Sequence, residues 1–255
     1  MKRVAIIQAR MSSSRLPGKV LAPIDGAPMI ALMLRRVARA RLLDDIVVAT
    51  SVEHSDDVLA DEVNRNGFKT YRGSLADVLS RFAAATREFA ADVVVRLTGD
   101  CPLTDPDIID KSLSILIDGN FDYVSNVDPP TYPNGLDVEA FTSAAVLKAH
   151  KEARLPSDRE HVTPYIRRNK AIFRQSTIRA CVDLSALRWT VDHPDDLEFV
   201  RSLVKLLPAG ASIVADRFDF LRAMDLAGSA IPTNIHPRNE SYDAALDISN
   251  AKSGQ

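Results

Sequence analysis

The chain has 255 residues, of which 46% are hydrophobic and 26% charged, a composition typical of a globular protein with a substantial core. Its 32 basic and 34 acidic residues leave a formal charge of −2, so no overall field favours nucleic acid or an anionic membrane. No apolar run approaches the roughly 18 residues that span a bilayer, and a strand-like segment begins at residue 4, which leaves no room for a signal peptide. We therefore expect a cytoplasmic protein with no nucleic-acid or membrane partner.

The first predicted element is a strand at residues 4–7, where an apolar run without alternation indicates burial on both faces of a parallel sheet. The next twelve residues are rich in polar and cationic groups, namely Gln8, Arg10, Ser12, Ser13, Ser14, Arg15, Gly18 and Lys19. Ligands bind where such loops leave the carboxyl ends of strands, and these residue types bind phosphate oxygens. The loop therefore predicts a phosphate site, with a solvated basic loop as the alternative. It is not a P-loop, since no glycine stands five residues before Gly18 and Val20 replaces Ser or Thr.

The following segments alternate between amphipathic helices and short apolar strands. Apolar spacing predicts helices at residues 28–43, 55–66 and 75–89, and strands at residues 46–49, 68–71 and 93–97. This alternation predicts an α/β fold, a Rossmann-like and mostly parallel sheet flanked by helices. The dinucleotide fingerprint Gly-x-Gly-x-x-Gly is missing after the first strand, which argues against an oxidoreductase.

The pattern changes at residues 121–141, where alternating segments flank the turn cluster PPTYPNG and predict a small antiparallel excursion. Beyond it we predict helices at residues 142–153, 158–169, 194–206 and 216–226, and strands at residues 172–178 and 187–191. We expect one domain over residues 1–255, with a polar, frayed tail over about residues 240–255. Cys101 and Cys181 form no Cys-x-x-Cys pattern, which argues against a zinc site or a disulfide framework.

Several motifs together resemble a known family. QARMSSSRLPGK at 8–19, with Leu21 and GAPMI at 26–30, resembles the amino-terminal signature of the cytidylyltransferases that activate acidic sugars. That group includes the 3-deoxy-manno-octulosonate and acylneuraminate enzymes, and its spore-coat polysaccharide F-type branch is the most similar. RLTGDCPL at 96–103, YPNGLDVEAF at 132–141, REHVTPYI at 159–166 and TVDHPDDLE at 190–198 resemble that branch in the same order. The resemblance implies a nucleotide-diphospho-sugar transferase fold, CTP and an acidic sugar as substrates, Mg²⁺ as cofactor, and a homodimer.

Two aspartates at predicted strand ends are candidate metal ligands. Asp100 follows a buried strand and a glycine, a position that suits a hard divalent cation, and Asp192 follows the predicted strand at residues 187–191. A cap or turn role is the alternative for both, and it is the interpretation we adopt for Asp195 and Asp196. The resemblance implies that Asp100 and Asp192 bind one or two magnesium ions. Cys101 stands where the octulosonate enzymes carry an acidic residue, which implies a different sugar.

The resemblance also implies the remaining site residues. We assign catalysis to Arg10, Arg15, Lys19 and Asp100, since the cations would stabilise charge on the α-phosphate and on the departing pyrophosphate. The predicted nucleotide site comprises Gln8, Ala9, Arg10, Ser13, Arg15, Lys19, Arg72, Ser74, Asp77, Thr98 and Gly99. The predicted acceptor site comprises Asp137, Glu139, Arg159, His161 and Tyr165. A purely structural role near a helix start is an equal alternative for Asp77 and for His161.

We therefore expect a magnesium-dependent enzyme that transfers CMP from CTP to an acidic sugar or similar anionic acceptor, with release of pyrophosphate, for a surface or coat polysaccharide. A glycosyltransferase that uses a nucleotide sugar is the alternative among enzymes, although the Asp-Cys-Pro at 100–102 lacks the second aspartate of Asp-x-Asp. A nucleotide-binding protein without turnover is the other alternative. The identity of the acceptor stays open.

Overall fold

The computed structural model describes residues 1–238, in which helices and strands alternate around a central sheet. The strands are β1 Arg3–Gln8, β2 Pro23–Ile24, β3 Ala27–Pro28, β4 Asp45–Ser51, β5 Lys69–Gly73, β6 Val93–Thr98, β7 Tyr123–Ser125, β8 Glu139–Thr142 and β9 Gln175–Thr177. The helices are α1 Met29–Val37, α2 Asp57–Arg65, α3 Val78–Glu88, α4 Pro106–Asp118, α5 Ser143–Glu152, α6 Pro156–His161, α7 Pro164–Arg168, α8 Pro194–Lys205 and α9 Arg217–Ala227. The predicted polar tail lies outside the described residues, and the single domain over residues 1–255 stays a prediction.

Seven strands form one sheet in the order β5-β4-β1-β6-β8-β7-β9, and β2 pairs with β3 in a small hairpin. β1 lies between β4 and β6 and is parallel to both. Ala5 and Ile7 pack into a core with α1, α4, α8 and α9, whereas Val4 and Ile6 pack into a second core with α3 and α5. Both faces of β1 are thus covered, which explains why its apolar run does not alternate. The predicted α/β class is confirmed.

The predicted antiparallel excursion is confirmed as well. β8 runs antiparallel to both β6 and β7. The side chain of Asn126 holds the ends of the connecting loop together, since its amide nitrogen donates to the carbonyl of Leu136 at 2.7 Å and its oxygen accepts from the N–H of Val138 at 2.8 Å. This arrangement carries Asp137 to the edge of the sheet, where β1 and β6 end.

Some element boundaries differ from the predictions. α1 ends at Val37 rather than at residue 43, because the carboxylate of Asp110 accepts from the backbone N–H groups of Arg41 and Leu42 at 3.1 Å and 2.9 Å and holds the chain out of the helix. The helix predicted at residues 158–169 is divided into α6 and α7, because Val162 has a φ of 72° and Pro164 offers no N–H. Within residues 1–238 no helix is long and apolar enough to cross a membrane.

Two further differences concern whole elements. The strand predicted at residues 187–191 is wrong, since this segment makes a single bridge, between Arg188 and Asn134, and is otherwise irregular. α4 was not predicted, although Asp105 caps it, proline occupies its first turn, and Ile109 and Leu113 face the core.

Gly135 allows the loop before β8 to pass directly against the irregular segment. Its φ is +111°, and a Cβ atom there would lie 2.6 Å from the backbone nitrogen of Thr190 and from the carbonyl carbon of Trp189. We expect Gly135→Ala to lower the free energy of unfolding by about 2–4 kcal/mol, measured by chemical denaturation. Gly67→Ala is the matched control, because Gly67 has a φ of +80° but nothing within 4 Å, and it should cost only about 1 kcal/mol. Equal losses in the two variants would contradict the steric explanation.

Candidate active site

A cleft of about 330 Å³ opens where β1 and β6 end. Most of the site residues predicted from the sequence line it, namely Gln8, Ala9, Arg10, Ser13, Arg15, Lys19, Thr98, Gly99, Asp100, Asp137, Glu139, His161 and Asp192. Residues that are far apart in the sequence thus meet at the carboxyl ends of neighbouring parallel strands, where open α/β sheets bind ligands.

A buried carboxylate holds the cationic loop after β1 in place. Asp56 accepts from the backbone N–H of Met11 at 2.7 Å and from the hydroxyl of Ser51 at 2.5 Å. Burial raises the pKa of Asp56, but the hydrogen bonds that it accepts outweigh burial and leave the pKa below its usual value. Gly18, with a φ of 73°, closes the loop by donating its N–H to the carbonyl of Met11 at 2.9 Å. The cations of the loop therefore extend from a fixed backbone.

Lys19 lies between the two predicted metal ligands. Its Nζ is 2.8 Å from Oδ1 of Asp192 and 3.5 Å from Oδ2 of Asp100, and it donates to the carbonyl of Val191 at 2.7 Å. Only 10% of the lysine side chain is exposed. Burial lowers the pKa of Lys19, but the two carboxylates outweigh burial and raise it above its ordinary value. The ammonium group is therefore a permanent positive charge that the two aspartates share.

Asp192 is surrounded by cations, although the strand predicted to precede it does not form. Arg15 lies 3.2 Å from its Oδ1, and Arg188 lies 3.2 Å from its Oδ2. Burial raises the pKa of Asp192, but Lys19 and the two arginines outweigh burial and hold the pKa below its ordinary value. The group is therefore ionised at neutral pH. Asp196 binds the guanidinium of Arg188 at 2.8 Å and 2.9 Å and accepts from the N–H of Asp192 at 2.9 Å. These contacts, and not the hydrogen bonds of a sheet, hold the segment around Asp192 in position.

The donor set around Lys19 suits a hard divalent cation. Asp100 and Asp192 come from different loops, and their carboxylates share the ammonium of Lys19. The backbone joins the two loops, since the N–H of Val191 donates to the carbonyl of Asp100 at 2.8 Å. Carboxylate oxygens are the ligands that Mg²⁺ prefers in proteins. The residues present therefore fit the cofactor that the sequence predicts.

Glu139 is buried at the other end of the cleft. It accepts from the hydroxyls of Tyr123 at 2.5 Å and Thr163 at 2.6 Å, and it pairs with Arg96. Burial raises the pKa of Glu139, but Arg96 leads the groups that outweigh burial and hold it below its ordinary value. Arg96 also donates to the side chain of Gln8 at 3.1 Å. Both oxygens of the Glu139 carboxylate thus bind donors of the protein itself. These contacts are those of a residue that positions Arg96.

Asp137 and His161 line the same end of the cleft. Burial raises the pKa of Asp137 to about 6 against the opposing charge of Arg238, with which it pairs. Burial lowers the pKa of His161 to about 4, and Arg96 and Arg167 act in the same direction. The imidazole is therefore neutral near pH 7 and can take part in hydrogen bonding without adding charge.

Five predicted site residues lie away from the cleft lining. Arg72 pairs with a carboxylate of α2 at 2.5 Å. Asp77 caps α3 by accepting a hydrogen bond from a backbone N–H at 2.9 Å, and it pairs with Arg159. The hydroxyl of Ser74 accepts from the N–H of Asp77 at 3.0 Å. The hydroxyl of Tyr165 donates to a carboxylate of α5 at 2.6 Å. Their binding roles stay predictions, and the contacts described here favour structural roles.

Four arginines that the sequence interpretation did not single out also line the cleft: Arg81, Arg96, Arg167 and Arg188. Arg81 is 3% exposed, and burial together with nearby Arg10 lowers its pKa to about 10. A sequence signal was present, because Arg81 belongs to the buried side of α3 and Arg96 interrupts the apolar run of β6. A cation at a core position indicates a buried partner or an anionic ligand.

The family is decided by a comparison over most of the chain. The sequence model of the family described as Cytidylyltransferase matches residues 4–210. The chain belongs to the cytidylyltransferase family. The match includes the loop after β1 together with Asp100, Glu139 and Asp192, and it ends before the segment that carries Arg238. The family resemblance found in the sequence is confirmed.

Individual proteins are similar to this cytidylyltransferase over most of their length. An uncharacterised protein of Methanocaldococcus jannaschii is 39% identical over 207 residues, which cover 80% of this chain and 84% of the relative. The spore coat polysaccharide biosynthesis protein SpsF of Bacillus subtilis is 33% identical over 205 residues, 78% of this chain and 84% of the relative.

Solved structures agree with the fold of this cytidylyltransferase. The structure of a cytidylyltransferase from Leptospira borgpetersenii superposes with a TM-score of 0.87 at 31% identity, covering 93% of this chain and all of that one. A CMP:2-keto-3-deoxy-manno-octonic acid synthetase complexed with CTP has a TM-score of 0.63 at 23% identity, covering 80% of this chain and 99% of that one. The second likeness establishes a shared fold.

Proposed function

We propose that this cytidylyltransferase transfers CMP from CTP to an acidic sugar or similar anionic acceptor, releases pyrophosphate, and uses Mg²⁺ as cofactor. The observation that carries the proposal is the convergence of Arg15 and Lys19, from the loop after β1, on Asp100 and Asp192 in one cleft. A triphosphate needs cations along its length, and two carboxylates beside it need a shared cation. The family match and the CTP complex of the structurally similar synthetase support CTP as the donor.

The proposed reaction is a substitution at phosphorus. An acceptor oxygen, which gives up to water any proton that it carries, attacks the α-phosphorus of CTP. The bond from that phosphorus to the bridging oxygen breaks, and pyrophosphate leaves with the bonding electrons. Mg²⁺ held by Asp100 and Asp192 would neutralise phosphate charge. Arg10, Arg15 and Lys19 stabilise the negative charge that grows on the α-phosphate and on pyrophosphate. Because Lys19 is buried and held by fixed partners, its charge requires little rearrangement during the reaction.

The end of the cleft around Asp137 and His161 is the proposed acceptor site. Neutral His161 and the carboxylate of Asp137 can hydrogen-bond to sugar hydroxyls, while Arg96 and Arg167 provide positive charge for an acidic group. A role in surface or coat polysaccharide synthesis, the homodimer and the cytoplasmic location stay predictions.

Phosphorus NMR of the reaction products tests the proposal. CTP, Mg²⁺ and the enzyme are incubated with a panel of sugar acids, sugar phosphates and phosphonates. We expect pyrophosphate and a CMP-linked product to appear in equal amounts with one class of acceptor. A glycosyltransferase would use a nucleotide sugar as its donor instead of CTP. No pyrophosphate from CTP with any acceptor, together with release of a free nucleotide when a nucleotide sugar replaces CTP, would contradict the proposal.

A further inference from the structure

The segment at residues 231–238, which we call the C-terminal strap, forms part of the cleft wall although it lies beyond the family match at residues 4–210. Pro237 lines the cleft, and Arg238 pairs with Asp137 and donates to the carbonyl of Tyr132 at 3.2 Å. We propose that Arg238 is a positioning residue that determines acceptor specificity, because it holds the carboxylate of Asp137 ready to accept hydrogen bonds from acceptor hydroxyls. This inference rests on the proposed function and extends it.

The strap is docked before it reaches Asp137. The side chain of Asn234 donates to the carbonyl of Arg188 and to Asp196, both at 3.0 Å. His236 lies 2.8 Å from a carboxylate oxygen of Asp195, and its ring stacks on that of His193 with the ring centres 3.8 Å apart. These contacts bind the strap to the segment around Asp192. Arg238 is therefore presented to Asp137 from a fixed backbone.

The electrostatics explain why Asp137 needs this partner. Asp137 is mostly buried, and the carboxylates of Glu139 and Asp100 act in the same direction as burial to raise its pKa, whereas Arg238 and then Arg96 oppose them. Arg96 is itself engaged by Glu139. Without Arg238 the pKa of Asp137 would rise further, and its carboxylate would lose the partner that orients it. Arg238 therefore sets both the orientation and the hydrogen-bonding character of this part of the wall.

The position of Arg238 in the sequence links the contact to specificity. The groups that face the proposed triphosphate site, Arg15, Lys19, Asp100 and Asp192, all fall within the matched range of residues 4–210, and Arg238 does not. The contacts of Arg238 are to Asp137 and to the carbonyl of Tyr132, so we expect a change at Arg238 to leave the four groups of the nucleotide site in place. Acceptor choice can therefore vary while the chemistry of the family is kept.

The test is steady-state pyrophosphate release at saturating Mg²⁺. The acceptor is whichever compound gives the fastest release from a panel that includes 3-deoxy-manno-octulosonate and N-acetylneuraminate. We expect Arg238→Gln to raise the KM for that acceptor by about tenfold or more, with the KM for CTP within about twofold of the wild-type value. Arg238→Lys should raise the acceptor KM less than Arg238→Gln does, since lysine keeps the positive charge but not the forked geometry of the guanidinium. In an Asp137→Asn background, Arg238→Gln should add little, because its effect passes through Asp137.

His236→Asn is the matched control on the same strap. It removes the contact with Asp195 and the ring stacking but leaves the two docking hydrogen bonds of Asn234 and the pair between Arg238 and Asp137, so the acceptor KM should stay within about twofold of wild type. Equal increases in His236→Asn and Arg238→Gln would reduce the strap to a structural element and overturn the inference, as would an equal rise in the KM for CTP. Release by the wild type with an unchanged acceptor KM in Arg238→Gln would overturn this inference alone. No release by the wild type with any panel member would remove the proposed function and this inference with it.

Discussion

Asp100→Asn is expected to reduce magnesium-dependent pyrophosphate release by about a thousandfold or more, because an amide cannot supply the charge that a hard cation and Lys19 both require. The fold should be retained. The contacts that tie this residue to the irregular segment use its backbone carbonyl, which accepts from the N–H of Val191 at 2.8 Å and from the hydroxyl of Thr190 at 3.2 Å. The substitution leaves that backbone carbonyl unchanged. Turnover is measured with CTP at saturating Mg²⁺, and folding by thermal unfolding.

Asp195→Asn is the matched control for Asp100→Asn. Asp195 lies close to Asp192 in the sequence, its side chain is 47% exposed, it pairs with His236, and it does not line the cleft. The turnover of the Asp195→Asn enzyme should stay within about twofold of the wild-type value. An Asp100→Asn enzyme that keeps a tenth or more of the wild-type rate would refute the assignment of Asp100 as a metal ligand.

Lys19→Met is expected to have two separable effects. Pyrophosphate release should fall by about 10²–10³-fold, because a buried cation facing the phosphates is lost. Without divalent cations the variant should also lose about 1–3 kcal/mol of stability, since Asp100 and Asp192 then lose the ammonium group that they share. Because the folded state raises the pKa of Lys19, this contribution is complete at neutral pH and is lost only as the pH rises above about 10.5 through the folded pKa.

Magnesium distinguishes the role of Lys19 from a general packing effect. If Mg²⁺ binds to the same two carboxylates, it should raise the unfolding temperature of Lys19→Met more than that of the wild type. Lys111→Met, at an exposed position on α4, should behave as the wild type with and without magnesium. Equal stabilisation of the wild type and Lys19→Met by Mg²⁺ would show that the cation binds elsewhere.

The sequence predicted the part of the site that local signals determine. The apolar run of β1 and the polar loop behind it place Arg15 and Lys19 at a strand end, and Asp100 follows β6 in the same way. Parallel neighbours end at the same edge of a sheet, so two correctly predicted strands suffice to bring these groups together. The same reasoning found Asp192 although its strand does not exist, because the backbone hydrogen bond from Val191 to Asp100 replaces the sheet contact.

What the sequence did not predict depends on contacts between distant segments. Arg238 pairs with Asp137 only because the strap returns to the cleft, and no local sequence pattern predicts that contact. Motif resemblance also grouped Asp77 and Arg159 with the ligand sites, whereas the structure pairs them with each other at the start of α3. A motif records which residues recur together, and only packing decides whether they face a ligand or one another.

The most direct measurement is pyrophosphate release from CTP, UTP, ATP and GTP, each tested with and without Mg²⁺ across the acceptor panel. We predict release from CTP alone, and only when Mg²⁺ and one class of anionic acceptor are both present. Equal release from another nucleotide, or CTP binding with no release from any acceptor, would contradict the proposal that this cleft transfers CMP.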